Sequence, residues 1–390
     1  MRQAAAQLND ELLIVGAGCA GLSLASRLAE RAVPGRVRLV DPRTEFGRDR
    51  TWCFFDMVPH RFSDAITRRW TRWAVRHDGR ECVRSAPGVD YVHLDAARFY
   101  ALARERIGDS ALLLGTRVES LVQEGDRVVV TTDRGPLSAA RVYDARPPRF
   151  DAPAPRGQLR LLQHFRGAHV RTPAPVFDPE TVTLMDFDVP QEHGISFMYV
   201  LPFSPTEALV EATWFSESVH DAHIYGETLA RWRRERLGLA SWEVIHEERG
   251  VLPMSTERFA SPRGARVQRI GLGGGAAKPS TGYAFLAIQR QTEVLAAAIA
   301  RGRFDAPPPR GKRELAFDRV MLDWMIRHRA ETPGLLYRLF EKVEPQVLVR
   351  FLSESSSPAD ELAVMLAVPP ASFTVSALRG ALGALGRPWA

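Results

Sequence analysis

Three glycines at 16, 18 and 21 constrain this chain more than any other feature. Gly16-Ala17-Gly18-Cys19-Ala20-Gly21 has the spacing G-x-G-x-x-G. It follows directly on ELLIV (11–15), an apolar run that reads as a buried strand. It opens a helical pattern carried by Leu22, Leu24, Ala25, Leu28 and Ala29. A second apolar run, VRLVD, ends on Asp41, about 20 residues further on. Strand, glycine turn, helix and strand in that order predict a β-α-β unit at the start of a parallel sheet, with a dinucleotide at the turn. Gly16 permits the tight turn, Gly18 lets backbone approach a pyrophosphate, and Gly21 allows the helix to pack closely on the strand. The helix N-terminus offers free N–H groups to the anion. Asp41 is expected to accept hydrogen bonds from the adenosine ribose. A glycine-rich turn with no ligand is the alternative that this context disfavours.

The fingerprint by itself does not separate NAD from FAD. Downstream, ALLLGTRVESLVQEGDRVVVTTDRGPLSAARVYDAR (111–146) reads as short strands with turns at 124–126 and 133–135. A second glycine-rich turn, GLGGGAAKPSTG (271–282), precedes a helix expected to start near Ser280. A fingerprint near the beginning of the chain, a meander and a distant second glycine turn are similar to the large FAD family of aromatic hydroxylases and isoprenoid reductases. Gly273, Gly274, Thr281 and Gly282 are then the expected contacts to the flavin. A helix N-terminus there favours an anionic reduced ring by its dipole. A flexible loop is the plainer reading.

The rest of the chain is organised around punctuation. A proline-rich stretch at 147–180 reads as a connection, strands are expected from about 163 to 215, and a charged helix near 224–237. A helix pattern covers 282–300. A proline-rich break at 305–311 precedes amphipathic helices to about 385. The expected fold is α/β. A Rossmann-like FAD-binding domain (1–155 and 255–310) carries an inserted β-sheet substrate domain (156–254) and a helical C-terminal region (311–390). The net charge of +6, spread as arginine along 390 residues, favours an anionic partner surface, membrane or nucleic acid. Cys19, Cys53 and Cys82 make no C-x-x-C pair, which points to a reducing cytosol. No apolar run reaches the ~18 residues of a membrane span, and the first 11 residues carry no leader pattern. Cytoplasmic residence, with peripheral membrane attachment, is expected.

LPFSPTEALVEATWF (201–215) reads as strand, turn and strand, with Glu211 in the middle of the second strand. Alternation puts Leu209, Glu211, Thr213 and Phe215 on one face and Val210, Ala212 and Trp214 on the other. No cation in the segment pairs with Glu211. A half-exposed strand would simply solvate it. A dry face would instead raise its pKa and hold it protonated near neutral pH.

Several stretches together carry one resemblance. LLIVGAGCAGLSLASRL, LVDPR, RTWCF, VYDARP, QHFRG, VTLMDFDV, FMYVLPFSPTEALVEATWF, GVLPM, GGAAKPSTGYAF and RFLSE occur in order over nearly the whole chain. In these it resembles the bacterial flavin-dependent lycopene β-cyclases. The resemblance implies a non-redox reaction. The ψ-end groups of lycopene are protonated and closed to β-rings, giving γ- or β-carotene, with FAD in its reduced form and NAD(P)H as the reductant. It implies a linear carotene as substrate, a membrane surface as partner, no nucleic acid, and no obligatory protein partner. It also implies that the acid in the strand after LPFSPT is essential, which is Glu211 here. The family often has two adjacent acids at this point. Glu211-Ala212 retains only the first, and no second acid is then expected.

Tyr199, Phe203, Trp214, Phe215 and Phe285 are candidates to face a carbocation. Trp52 is either a flavin or substrate contact or core. Asp144 is read as a turn anchor, and Asp186 and Glu354 as lesser candidate acids. His220, Asp221 and His223 lack metal-ligand spacing, and no metal is expected. Arginine–tryptophan patches at 68–73 and 231–236, and the C-terminal helices, are the segments considered for lipid contact. The alternative function is a flavin-dependent monooxygenase or prenyl reductase of the same fold, acting on an isoprenoid with net electron turnover. A non-catalytic carotenoid or flavin carrier is a third reading.

Overall fold

The computed structural model describes residues 12–385 except 34, 109, 110, 151, 258 and 260. The stretch read for a leader, with Glu11 of the first strand, lies outside the described residues.

The strands β1 (Leu12–Val15), β2 (Val37–Asp41), β8 (Leu112–Leu114), β12 (Arg141–Asp144) and β18 (Val267–Arg269) form a parallel sheet in the order β18-β12-β1-β2-β8. β1 is central and covered on both sides, which is why LLIV has no polar position. Leu12 and Ile14 pack beneath the helices α1 (Cys19–Glu30), α2 (Ala96–Ile107) and α4 (Phe285–Ile299). Leu13 and Val15 pack beneath the meander of β9 (Val118–Glu124), β10 (Arg127–Thr132) and β11 (Leu137–Ala139). Each such fully buried aliphatic side chain contributes roughly 1.5–3 kcal/mol.

A second, seven-stranded sheet runs β17 (Glu243–Ser255), β13 (Arg160–Arg171), β16 (Glu207–Ser216), β15 (Ile195–Pro202), β14 (Thr181–Asp186), β5 (Arg72–His77), β6 (Arg80–Arg84). All pairings are antiparallel except β14 with β5. The sheet draws two strands from residues 72–84, far ahead of the segment 156–254 expected to build it. A third, antiparallel sheet is formed by β3 (Thr51–Phe55), β7 (Tyr91–Asp95) and β4 (Ile66–Trp70), in that order.

One face of the large sheet is covered by α3 (Ala222–Leu237), with Val210, Ala212, Trp214, Tyr225 and Trp232 forming the core between them. The other face meets β3, β7 and the C-terminal helices α5 (Lys312–Arg327), α6 (Thr332–Lys342), α7 (Pro345–Leu352) and α8 (Pro358–Ala367). A final helix, α9 (Pro370–Leu385), packs on α5. Helix α8 starts where its sequence says it must. Ser357 caps it, Asp360 closes the capping box, and Pro358 sits in the first turn.

Two local expectations are corrected. The proline-rich stretch 147–180 is not simply a connection, because β13 begins at Arg160 within it and runs for 12 residues. The helix expected near Ser280 begins at Phe285. Gly282 has φ +74, outside the helical region, and residues 278–283 close a turn through Lys278 N–H to Tyr283 O (2.8 Å) and Gly282 N–H to Lys278 O (2.8 Å).

Candidate active site

The first glycine turn is built as its spacing requires. Gly16 has φ +100, and its N–H donates to Val40 O at 2.8 Å. A Cβ on Gly21 would lie 1.9 Å from Gly16 O, so only glycine lets α1 sit this close to the turn. Gly18 has nothing within 4 Å of the position of its missing Cβ, so its surface is open. The first N–H groups of α1 have no partner within the helix and face this opening. An open glycine at a helix N-terminus suits a pyrophosphate. Asp41 reaches the same turn, accepting from Ala17 N–H at 2.6 Å and from Arg43 N–H and Nε at 2.9 Å each. With Arg43 Nη2 at 3.3 Å, all its acceptor positions are filled. Asp41 therefore anchors the turn here, and a ribose would have to take the place of Arg43.

The second glycine turn packs directly on the first: a Cβ on Gly271 would lie 2.5 Å from Ala20 Cβ. Gly273 and Gly274 are glycine because backbone abuts them, Arg146 O at 2.3 Å and Arg269 O at 2.7 Å from the positions a Cβ would take. Arg310 holds the loop from below, donating to Gly275 O (2.9 Å), Ala276 O (2.8 Å) and Ala277 O (3.0 Å). Glu354 bridges Arg310 and Arg290, so this lesser candidate acid is a structural counter-ion. Thr281 and Gly282 lie in the turn before α4, where Gln163 of β13 closes on Gly282: a Cβ there would be 2.2 Å from its Oε1. This contact joins the glycine turns to the large sheet. A pocket opens beside the second glycine turn, lined by Cys53, Phe54, Tyr283 and Phe285 together with Lys278, Arg290, Arg310 and Glu354.

Glu211 lies on the β3–β7 side of the large sheet, only 5% exposed. Its rung is Tyr199–Glu211–Gly167–Glu248, across β15, β16, β13 and β17. A Cβ on Gly167 would be 2.6 Å from Glu211 Cγ, so glycine makes the space that the acid occupies. No described residue donates a hydrogen bond to the Glu211 carboxyl or forms an ion pair with it. Burial, and secondarily the charge of Glu248, push this carboxyl well above the usual carboxylate range. Apart from Glu248, the polar groups beside it are tyrosine hydroxyls and a thiol. The hydroxyls of Tyr91 and Tyr199 meet at 2.9 Å, with Tyr283 and Cys53 close by. Burial pushes Tyr91, Tyr199 and Cys53 well above their ordinary values, and Tyr283 up to about 12. Burial thus favours the neutral form of the Glu211 carboxyl, in a dry setting among aromatic hydroxyls.

Other expected residues fall elsewhere. Trp214 is on the opposite face, T-stacked on Tyr225 at 4.9 Å, and does not face Glu211. Asp186 accepts from Trp232 Nε1 at 2.9 Å and is a core partner of α3. Asp144 accepts from Arg146 Nε at 2.9 Å and Nη2 at 2.8 Å and anchors its turn. Trp52 packs edge-on against Phe99 at 4.9 Å. Among the described residues no group of three or more His, Cys, Asp or Glu is placed to hold a metal ion. Sequence reasoning missed Glu248. It lies in EVIHEERG, a charged run that resembles a solvated face, and only its register opposite Gly167 reveals it.

A family model described as "Lycopene cyclase protein" matches residues 11–378. The chain belongs to this lycopene cyclase family. The sequence resemblance is thereby borne out. Lycopene beta-cyclase of Paracoccus sp. (strain N81106 / MBIC 01143) is 28% identical over 388 residues, covering 93% of this chain and 95% of that protein. Lycopene beta-cyclase of Pantoea ananas is 27% identical over 287 residues, covering 71% of each. Among solved structures, the chain is similar in fold to a flavoprotein/dehydrogenase from Cytophaga hutchinsonii (TM-score 0.61, 13% identity, 95% of this chain and 98% of that one). It is also similar to a geranylgeranyl bacteriochlorophyll reductase-like protein from Thermoplasma acidophilum (TM-score 0.60, 14% identity, 94% and 98%). A third is Klebsiella pneumoniae HpxO complexed with FAD (TM-score 0.54, 15% identity, 96% and 100%). These likenesses confirm the α/β flavoprotein-type architecture of this lycopene cyclase family member.

Proposed function

We propose that this lycopene cyclase family member closes the ψ-ends of a linear carotene, lycopene, to β-rings by acid catalysis, with Glu211 as the proton donor. The observation that carries this is the buried Glu211 carboxyl, which no described residue hydrogen-bonds or pairs. An alkene is a weak base, so its protonation demands an acid that arrives neutral and in a site free of water. Glu211 gives its proton to the terminal double bond, whose π pair forms the new C–H bond. The resulting cation is attacked by the neighbouring double bond, which closes the six-membered ring. Loss of a ring proton leaves the β-end group, so no electrons are exchanged overall. Tyr199, Tyr283 and Phe285 would stabilise the positive charge through their quadrupoles.

The glycine turns fit FAD. Gly16, Gly18 and Gly21 would hold its pyrophosphate with Asp41 beside them, and Gly273, Gly274, Thr281 and Gly282 would frame the ring system. When bound and reduced by NAD(P)H, FAD would supply an electron-rich ring system that favours nearby positive charge.

The substrate dissolves only in lipid, so the enzyme works at a membrane surface in the cytoplasm. No helix among the described residues is long and apolar enough to cross a membrane. Helix α8 instead exposes Leu362, Met365 and Leu366, and α9 exposes Val375 and Leu378, an apolar patch suited to the bilayer interface.

The test is expression in a lycopene-accumulating bacterial host, with pigments separated by chromatography. Cyclised carotene from the wild type and lycopene from Glu211→Gln support the reading. Unchanged lycopene from a folded, flavin-loaded wild type, with steady NAD(P)H consumption, would point instead to a redox enzyme of the same fold.

A further inference from the structure

The second acid that the sequence lacks beside Glu211 is present in space. Glu211 and Glu248 stand on the same rung of the large sheet, two strands apart, with Gly167 between them. Two strand spacings separate their backbones by about 10 Å. Gly167 puts no side chain between them, and the Glu211 side chain leans over it. The two carboxyls are treated differently by their neighbours. Glu248 is clamped by Thr51 of β3, whose N–H donates to Oε1 at 2.9 Å and whose hydroxyl donates to Oε2 at 2.5 Å. Glu211 receives no donor. Donors on both oxygens favour an ionised carboxylate, and a dry site without donors favours a neutral acid.

Resting on the assignment of Glu211 as the acid, we propose that Glu248 is a positioning residue for the reaction: clamped as the ionised partner by Thr51, it keeps Glu211 protonated and sets the upper pH limit of cyclisation. A negative charge on Glu248 across Gly167 makes ionisation of Glu211 less favourable, so the proton stays on Glu211. When Glu211 has given its proton to the substrate, the facing charge of Glu248 draws a proton back and resets the site. The other groups near the pair do not disturb this order. Tyr199 faces Glu211 from β15, Cys53 from β3, and Tyr91 and Tyr283 complete the cluster, all neutral. Glu248 sees His246 on its own strand and Arg50 next to Thr51, both of which favour its charged form. Burial raises the Glu248 carboxyl as well, and the Thr51 bonds oppose that rise.

The experiment is the pH dependence of kcat/KM for the flavin-loaded enzyme, chemically reduced, on lycopene in liposomes. Wild type, Glu248→Gln, Thr51→Val and Glu211→Gln are compared, with flavin content and thermal midpoint as checks on folding. Removing the facing charge in Glu248→Gln is expected to move the alkaline limb downward by on the order of one pH unit while the acid limb keeps its position. Thr51→Val, which weakens the clamp, is expected to move the same limb in the same direction by less. A Glu248→Gln profile that superimposes on the wild type would overturn the proposal. So would a uniform loss at every pH with flavin content intact, because that would place Glu248 in the chemistry itself. If Glu248→Gln does not fold, Thr51→Val decides, and an unmoved alkaline limb overturns the proposal. Glu211→Gln that still cyclises would sink the acid assignment, whatever Glu248→Gln shows.

Discussion

Gly167 lies opposite Glu211 on the neighbouring strand, and a Cβ there would stand 2.6 Å from Glu211 Cγ and 2.5 Å from Val210 O. The glycine is therefore part of how the acid is aimed. Gly167→Ala must push Glu211 or the strand aside, at about 1–3 kcal/mol of overpacking. The expected result is a folded, less stable protein with cyclisation lost out of proportion to stability, read by urea unfolding alongside pigment analysis.

Burial of Glu211 has a stability signature. Its folded pKa lies well above the unfolded value of about 4.5, so the folded state binds the proton more tightly. Native stability is then full below pH 4.5 and falls as pH rises from there to the raised folded value. Glu211→Gln removes the titrating group. Its thermal midpoint is expected to exceed that of the wild type at neutral and alkaline pH, with the gap closing towards acid. A gap independent of pH would contradict this.

The glycines of the fingerprint separate by role. Gly21→Ala drives a Cβ to 1.9 Å from Gly16 O, and is expected to yield little folded protein. Gly18 has ordinary φ −80 and open space before it. Gly18→Ala is expected to fold normally and lose FAD affinity, because the new methyl would crowd the pyrophosphate proposed to bind there. Thermal unfolding and flavin absorbance of the purified variants distinguish the two outcomes.

Arg310 is nearly buried, pairs with Glu354, and holds three carbonyls of the second glycine turn. Arg310→Ala leaves those carbonyls without their donor and Glu354 with only Arg290. A loss of about 3 kcal/mol is expected, together with faster flavin dissociation on gel filtration.

Leu366 is 78% exposed at the end of α8, with Leu362 and Met365 beside it. Leu366→Asp is expected to leave the thermal midpoint unchanged and to lower co-sedimentation with liposomes. Unaltered sedimentation would move the membrane contact to another face.

The amphipathic pattern of the chain was enough to identify much of the architecture. β1, α1 and β2 follow from the apolar run, the glycine spacing and the helical period, because these are local constraints on backbone. The face on which Glu211 lies also followed, since alternation along a strand is a property of the strand alone. Where α4 begins was misjudged, because Gly282 takes a positive φ that the residues alone did not reveal. The same alternation puts Trp214 on the opposite face, where it packs on Tyr225, so it does not face Glu211.

What the sequence determined by itself was therefore the nucleotide turn, the family, and an acid in the middle of a strand with no local partner. Only the tertiary structure decided that this acid is dry, that Gly167 makes room for it, and that Glu248 stands on the same rung held by Thr51. Those relationships join residues 51, 167, 211 and 248 through strand register across sheets. Register is set by the packing of whole sheets against one another, and no local pattern encodes which distant residue will stand opposite.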